Sequence, residues 1–151
     1  MAARDTSDVR CSIARSLEVL GERWTLLVIR EAFRGRSRFA EFRDALGVAP
    51  DVLSARLKTL VEAGVLERRA YREPGERERS SYHLTESGRE LRLVLGALNQ
   101  WGDRYRPSGH GPASILQTVD GAPARVTFVD PTDSPRPVED IVTVPGPGAR
   151  R

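Results

Sequence analysis

The sequence predicts a mainly α-helical domain that carries one small β-hairpin, followed by a short C-terminal extension. Three observations lead there. Apolar residues recur at helical spacing from Cys11 to about Tyr105, with glycines where the runs stop. One stretch, residues 65–84, breaks that period and reads as two short strands around Pro74-Gly75. Eight of the ten prolines lie from Pro107 onward, which divides residues 8–106 from an extension at 107–151.

The first helix is expected from Cys11 to Leu20, where Ile13, Leu17 and Leu20 fall at i, i+4 and i+7 before Gly21. The second, Glu22 to Phe33, is apolar nearly all round through Trp24, Leu26, Leu27, Val28, Ile29 and Phe33, the pattern of a buried central helix. After Gly35, Ser37 is the expected N-cap of a short helix holding Phe39, Phe42, Ala45 and Leu46. Gly47 ends it. Pro50 then suits the first turn of a fourth helix, where its missing N–H costs nothing, and Leu53, Leu57 and Leu60 form that helix's inner stripe up to Gly64. Beyond the hairpin, Thr85 caps one long expected helix, TESGRELRLVLGALNQWGDRYR, with Glu86 in its first turn. In the extension, SILQTVDG, ARVTFVD and EDIVTV have strand character between Gly-Pro breaks, which leaves two readings: a small strand-rich appendage or a disordered segment.

Composition narrows the class. A chain of 151 residues with 39% hydrophobic and 30% charged content suits one soluble domain. The net charge is +3, placed unevenly: residues 1–106 hold 20 basic and 16 acidic side chains, and residues 107–151 hold 4 and 5. Arg supplies 23 of the 24 basic residues. Guanidinium forks suit phosphate and guanine, so the bias fits a polyanion partner; a GC-rich genome produces the same bias. The lone Cys11 cannot form a disulfide within the chain, as expected in a reducing compartment. The opening MAARDTSDVR leads into no apolar run, and the longest such run, WTLLVI, is too short for a bilayer. A cytoplasmic protein without membrane contact is the expectation.

Two short helices joined by Gly47-Val48-Ala49 have the size of a helix-turn-helix. The outer side of the second carries Asp51, Ser54, Ala55 and Lys58, with Arg56 and Thr59 at its flank: short side chains near the N-terminus beside two cations, suited to a major groove. Alone, this is equally an ordinary amphipathic helix. A two-stranded ribbon following at once makes the unit a winged helix-turn-helix, and gives the charged hairpin tip a reason. Arg72, Arg77 and Arg79 would meet phosphates or the minor groove, although Glu73, Glu76 and Glu78 are discordant. Arg36, Ser37 and Arg38, with Arg34 beside them, lie where helix N–H groups and guanidinium groups together would hold a backbone phosphate.

The segments SLEVLGERWTLLVIREAFRGRSRFAEFRDAL, LSARLKTLVEAGVLERRAY and SYHLTESGREL, in this order, resemble the HxlR-type winged helix-turn-helix regulators of bacteria. The resemblance covers roughly residues 11–105. It implies a homodimeric transcription factor, a repressor in the simplest case, on a roughly palindromic double-stranded DNA operator. It also implies a recognition surface around Ser54 and Arg56, a wing at residues 73–79, and a dimer interface built from the first and last helices. This wing, GERERSS, departs from the family's proline-rich pattern. Independently, Leu91, Val94, Leu95, Leu98, Trp101 and Tyr105 form a wider apolar stripe than a domain this size needs, and with Ile13 and Leu17 they are the expected dimer interface. The competing reading is a winged helix that docks another protein. Cys11, at a helix start between Arg10 and Arg15, sits where a thiolate is favoured, and some members of the resembled family use a cysteine here to sense oxidants or electrophiles. The expected partners are therefore operator DNA, a second copy, and a small-molecule or oxidant inducer. No catalytic constellation, cofactor motif or metal-ligand spacing is visible, so neither enzyme activity, cofactor nor metal is expected.

Overall fold

In the computed structural model, which describes residues 10–148, the helical spacing read from the sequence becomes α1 (Ser12–Leu20), α2 (Arg23–Phe33), α3 (Phe39–Leu46) and α4 (Pro50–Glu62). The hairpin is β1 (Leu66–Tyr71) and β2 (Arg79–Leu84), followed by α5 (Glu86–Glu90) and α6 (Arg92–Tyr105). By packing the chain divides into two compact units, Met1–Arg92 and Leu93–Arg151. Composition changes at Pro107, but packing groups α6 with the extension. Among the described residues no helix is long and apolar enough to cross a membrane.

In the first unit α2 packs on α1, α3, α4 and β2, as its nearly continuous apolar surface requires. Val28 and Ile29 of α2, Phe42 of α3, Leu53, Leu57 and Leu60 of α4 and Leu66, opening the hairpin, are withdrawn from water, with Val48 and Val65 at the margins. Each buried Leu or Ile contributes about 1.5–3 kcal/mol, so these few positions hold four elements together. β1 and β2 are antiparallel, in register from Leu66 opposite Leu84 to Tyr71 opposite Arg79. Their tip turns at Pro74-Gly75: Glu76 N–H donates to the Glu73 carbonyl at 3.0 Å, and Gly75 holds φ +79°, which a side chain there would oppose.

Three expectations are corrected. The long last helix breaks at Leu91 into α5 and α6. Its cap is as expected: Thr85 Oγ1 accepts from Gly88 N–H at 3.2 Å, and it also donates to the Gly64 carbonyl at 2.5 Å. Gly88 lies so close to β1's approach that a Cβ there would fall 2.2 Å from the Val65 carbonyl oxygen, which explains glycine at this place in the Thr-x-x-Gly segment. Second, Ser37 does not cap α3. Arg38 is the N-cap residue, and the Glu41 carboxylate reaches back to accept from both Ser37 N–H (2.8 Å) and Arg38 N–H (2.9 Å). Ser37 and Arg38 instead lie along β2: Tyr82 N–H donates to the Ser37 carbonyl at 2.7 Å, and Arg38 bridges antiparallel to Ser81.

Third, EDIVTV forms no strand. Among its described residues the extension has β3 (Phe128–Val129) paired with β4 (Pro135–Arg136), an isolated bridge between Gln117 and Pro123, and a 3₁₀ turn at Val138–Asp140. Prolines at 131, 135 and 137 remove the N–H groups a longer ladder needs. Side chains tie the second unit instead. Gln100 of α6 donates to the Val126 carbonyl (2.9 Å) and accepts the Val126 N–H (2.5 Å), and Asn99 bonds Ser114 at both its hydroxyl (3.1 Å) and carbonyl (3.2 Å). A β-turn-like loop at 130–134 closes on Asp130, whose carboxylate accepts from Thr132 and Ser134 and is held below the usual range mainly by the Thr132 hydroxyl.

The Glu41 carboxyl is likewise held below its ordinary pKa, first by the Arg38 N–H and then by the Ser37 N–H. A depressed folded-state pKa contributes stability that is full above the unfolded value, about 4.3, and lost as pH falls through the folded value. In urea titrations, Glu41→Gln is expected to be less stable than the wild type at neutral pH, with the gap narrowing as pH drops below about 4. A gap that stays constant with pH would remove Glu41 from that role.

Candidate nucleic-acid interface

α3, the turn at 47–49, α4 and the β1–β2 ribbon all belong to the first unit. α4 commits Leu53, Leu57 and Leu60 to the core, and this orientation leaves Asp51, Ser54, Ala55 and Lys58 exposed on the outer face. The side chains near its N-terminus are short, so a partner surface can approach the backbone closely there. Lys58 lies 3.8 Å from Glu62 one turn on, an exposed i,i+4 pair. Thr59 is half-buried and its hydroxyl donates back to the Ala55 carbonyl at 3.0 Å. Arg56 is also half-buried: its Nη1 lies 3.9 Å from Glu22, and its buried Nε has no hydrogen-bond partner among the described residues.

The arginines before α3 are organised by a residue that the sequence reading passed over. Glu31, near the end of α2, is 1% exposed. Arg30 meets its Oε1 through Nε and Nη2, both at 2.8 Å, Arg34 Nη1 donates to the same oxygen at 2.9 Å, and Arg36 Nη1 lies 2.6 Å from Oε2. The Arg36 contact is a close ion pair without hydrogen-bond alignment, so Oε2 is satisfied by charge rather than by a directed bond. The one signal in the sequence was an acidic residue three positions after Val28, on the inner stripe of an otherwise apolar helix.

Arg38 is bound to the wing. Its Nη1 lies 2.6 Å from Glu73, and its guanidinium covers the Tyr71 ring at 4.6 Å. The carboxylate raises the Arg38 pKa above its ordinary value. Arg79 pairs with Glu76 at 2.8 Å across the tip. Arg72 and Arg77 are exposed, and among the described residues neither has an acidic partner within 4.0 Å. The N–H groups expected to await a phosphate at Ser37 and Arg38 are already filled by Glu41. Tyr71, Glu73 and Glu41 were legible only as neighbours of the arginines; Glu41 alone had a positional signal, three residues after the N-cap.

The remaining candidates lie elsewhere. Cys11 is the exposed N-cap residue of α1, and Arg15, expected beside its thiol, donates to Ser12 at 3.0 Å. In α1, Ile13 and Leu17 are 71% and 57% exposed. In α6, Val94, Leu98, Trp101 and Tyr105 are 40–57% exposed, whereas Leu95 of α6 and Leu91, at the break before it, are half-buried. Trp101 and Tyr105 stack on each other at 5.7 Å. Among the described residues no group of His, Cys, Asp and Glu is placed to hold a metal ion.

Residues 19–110 match the model of the HxlR-like helix-turn-helix family. The chain is 48% identical over 106 residues to the uncharacterized HTH-type transcriptional regulator Rv3095 of Mycobacterium tuberculosis, an alignment covering 70% of this chain and 66% of that one. It therefore spans just under two thirds of that relative. It is 37% identical over 107 residues to the regulator sll1512 of Synechocystis, covering 70% and 78%. Among solved structures, PA1607 superposes with a TM-score of 0.79 at 34% identity, over 92% of this chain and 97% of that one. The redox regulator HypR in its reduced form gives a TM-score of 0.58 at 27% identity, over 64% of this chain and 94% of its own. The chain belongs to the HxlR-like helix-turn-helix family.

Proposed function

We propose that the protein is a cytoplasmic DNA-binding transcriptional regulator, a repressor acting as a homodimer on a palindromic operator. The observation that carries this reading is the exposed outer face of α4, with short side chains at its start, held by a buried Leu stripe beside an arginine-tipped ribbon. In this arrangement α4 enters the major groove. Ser54, Ala55 and Lys58 face base edges, with Asp51, Arg56 and Thr59 at the margins. The wing follows the backbone through Arg72, Arg77 and Arg79, and Arg36, Ser37 and Arg38 flank it. Binding, not catalysis, is the role this surface supports.

The dimer reading rests on the exposed apolar side chains of α1 (Ile13, Leu17) and α6 (Val94, Leu98, Trp101, Tyr105), together with the half-buried Leu91 and Leu95. Twofold symmetry then presents two copies of α4 to half-sites about one helical turn apart. Trp101→Glu is expected to convert the dimer to a folded monomer in sedimentation while leaving the circular dichroism helical. A variant that stays dimeric removes α6 from the interface.

Oxidant control rests on Cys11, an exposed thiol at the N-terminus of α1, and on the likeness to a structure named as a redox regulator. Treatment with diamide should weaken DNA binding of the wild type and leave Cys11→Ser unaffected. Equal responses would reassign the inducer to another chemistry, such as a small molecule.

Selection of bound sequences from random DNA tests the central reading, since enriched inverted repeats are its direct outcome. On a selected operator, Arg56→Ala should cost roughly 1–3 kcal/mol and relax preference at one position. Arg77→Ala should instead weaken matched and scrambled DNA alike and lower the salt slope by about 1. Identical behaviour of the two variants on both DNAs would dissolve the distinction between reader and clamp. No enrichment at all would turn the winged helix toward a protein partner.

A further inference from the structure

Most cations placed on the candidate interface are already engaged by a carboxylate of the same chain. Glu31 takes Arg36 (2.6 Å), Glu73 takes Arg38 (2.6 Å), Glu76 takes Arg79 (2.8 Å), and Glu41 fills the two N–H groups at the start of α3. These pairs differ in kind. Glu31 is buried and Glu41 is bound to backbone, so both belong to the fold. Glu76 and Arg79 lie near each other in sequence within one turn. The Arg38–Glu73 pair alone among these joins the start of α3 to the ribbon tip through two half-exposed side chains, 46% and 47% accessible, with Arg38 Cζ over the Tyr71 ring at 4.6 Å.

We infer that Glu73 occupies on Arg38 the place of a DNA phosphate, so that Glu73 tunes the affinity and salt dependence of the interface. The inference rests on the reading of this face as DNA-binding. The Tyr71 ring beneath Arg38 Cζ keeps the guanidinium at the ribbon, where its donors can meet a carboxylate or a phosphate alike. Both anions satisfy the same donors, and only one can hold them at a time. On binding, Arg38 exchanges Glu73 for a phosphate and the released carboxylate, now beside a polyanion, recruits a cation from solution. That uptake cancels about one of the counterions the DNA releases. The exchange acts on every DNA sequence alike, because phosphate contacts carry no sequence information. It also accounts for acidic residues at the tip of a ribbon meant for a polyanion.

The two roles open to Glu73 predict opposite signs. If Glu73 serves only to hold the wing in place, neutralising it loosens the ribbon and weakens binding. If it stands in for phosphate, neutralising it strengthens binding. The test is fluorescence anisotropy of the full chain with a labelled mixed-sequence duplex, which needs no knowledge of the operator, at several salt concentrations. Glu73→Gln should bind about two- to fivefold tighter, the factor that corresponds to an exposed ion pair. Its salt slope should be steeper by about 0.9. In an Arg38→Gln background Glu73 has no guanidinium to release, so adding Glu73→Gln should change the slope little. Both positions are half-exposed, and circular dichroism confirms that each variant folds. Weaker or unchanged binding by Glu73→Gln, or an equal gain in the Arg38→Gln background, overturns the inference while leaving the DNA reading intact. Absence of salt-dependent binding by the wild type itself overturns the DNA reading, and this inference with it.

Discussion

The path of the chain from α2 to the wing is set by one carboxylate taken almost wholly out of water. A carboxyl group buried in an apolar helix needs partners at contact distance, and the sequence brings three arginines to Glu31, from positions 30, 34 and 36. Arg34 and Arg36 lie beyond the end of the helix, so satisfying Glu31 fixes where the chain goes after Phe33. Arg36 N–H also donates to the Glu31 carbonyl at 3.1 Å. The next residue, Ser37, then receives Tyr82 N–H from β2. A buried charge in α2 therefore reaches the ribbon through two links. The arginines at this corner serve first as counter-ions of the fold, and only their remaining donors face outward.

That ordering explains the modest net charge of a chain so rich in arginine. The surface around α4 and the wing is a mosaic of short ion pairs. Exposed pairs of this kind contribute little to stability, about 0–1 kcal/mol each, so their presence is better understood as control over where unpaired positive charge is shown. Arg72 and Arg77 near the tip of the ribbon, and Arg68 on β1, are where it is shown. Charge placed at the tip reaches farthest from the body of the domain, while the cations nearer the core stay balanced.

The order and type of the elements through β2 were legible because their signals are local: a Leu stripe every third or fourth residue in α4, Pro50 at its first turn, Pro74-Gly75 at the tip. The failures share a cause. Whether Ser37 caps α3 depends on Glu41 folding back, a local contact that the Ser37 reading overlooked, and on β2 competing for the same backbone, a contact more than forty positions away in sequence. The break at Leu91 follows a glycine pressed against Val65, twenty-three positions away. Candidate interface residues were chosen by type and spacing, which singled out exposed positions such as Ser54, Lys58 and Arg77 but not their neighbours' states. That Arg38 is held by Glu73 and Tyr71, or that Arg56 leans toward Glu22, follows from tertiary proximity alone.

The attachment of the extension to α6 has an evolutionary consequence. Gln100 offers Val126 one donor and one acceptor, the same pair a neighbouring strand would offer, yet it does so from a side chain. The helix keeps all its own backbone bonds while it holds the added segment. A lineage can therefore acquire or discard such a segment through changes at side-chain positions of the helix, the buried Gly96 included, where a Cβ would fall 2.9 Å from Val126 Cγ2. The size range of the solved relatives follows that logic: PA1607 matches nearly the whole chain, whereas HypR matches 64% of it while using 94% of its own length.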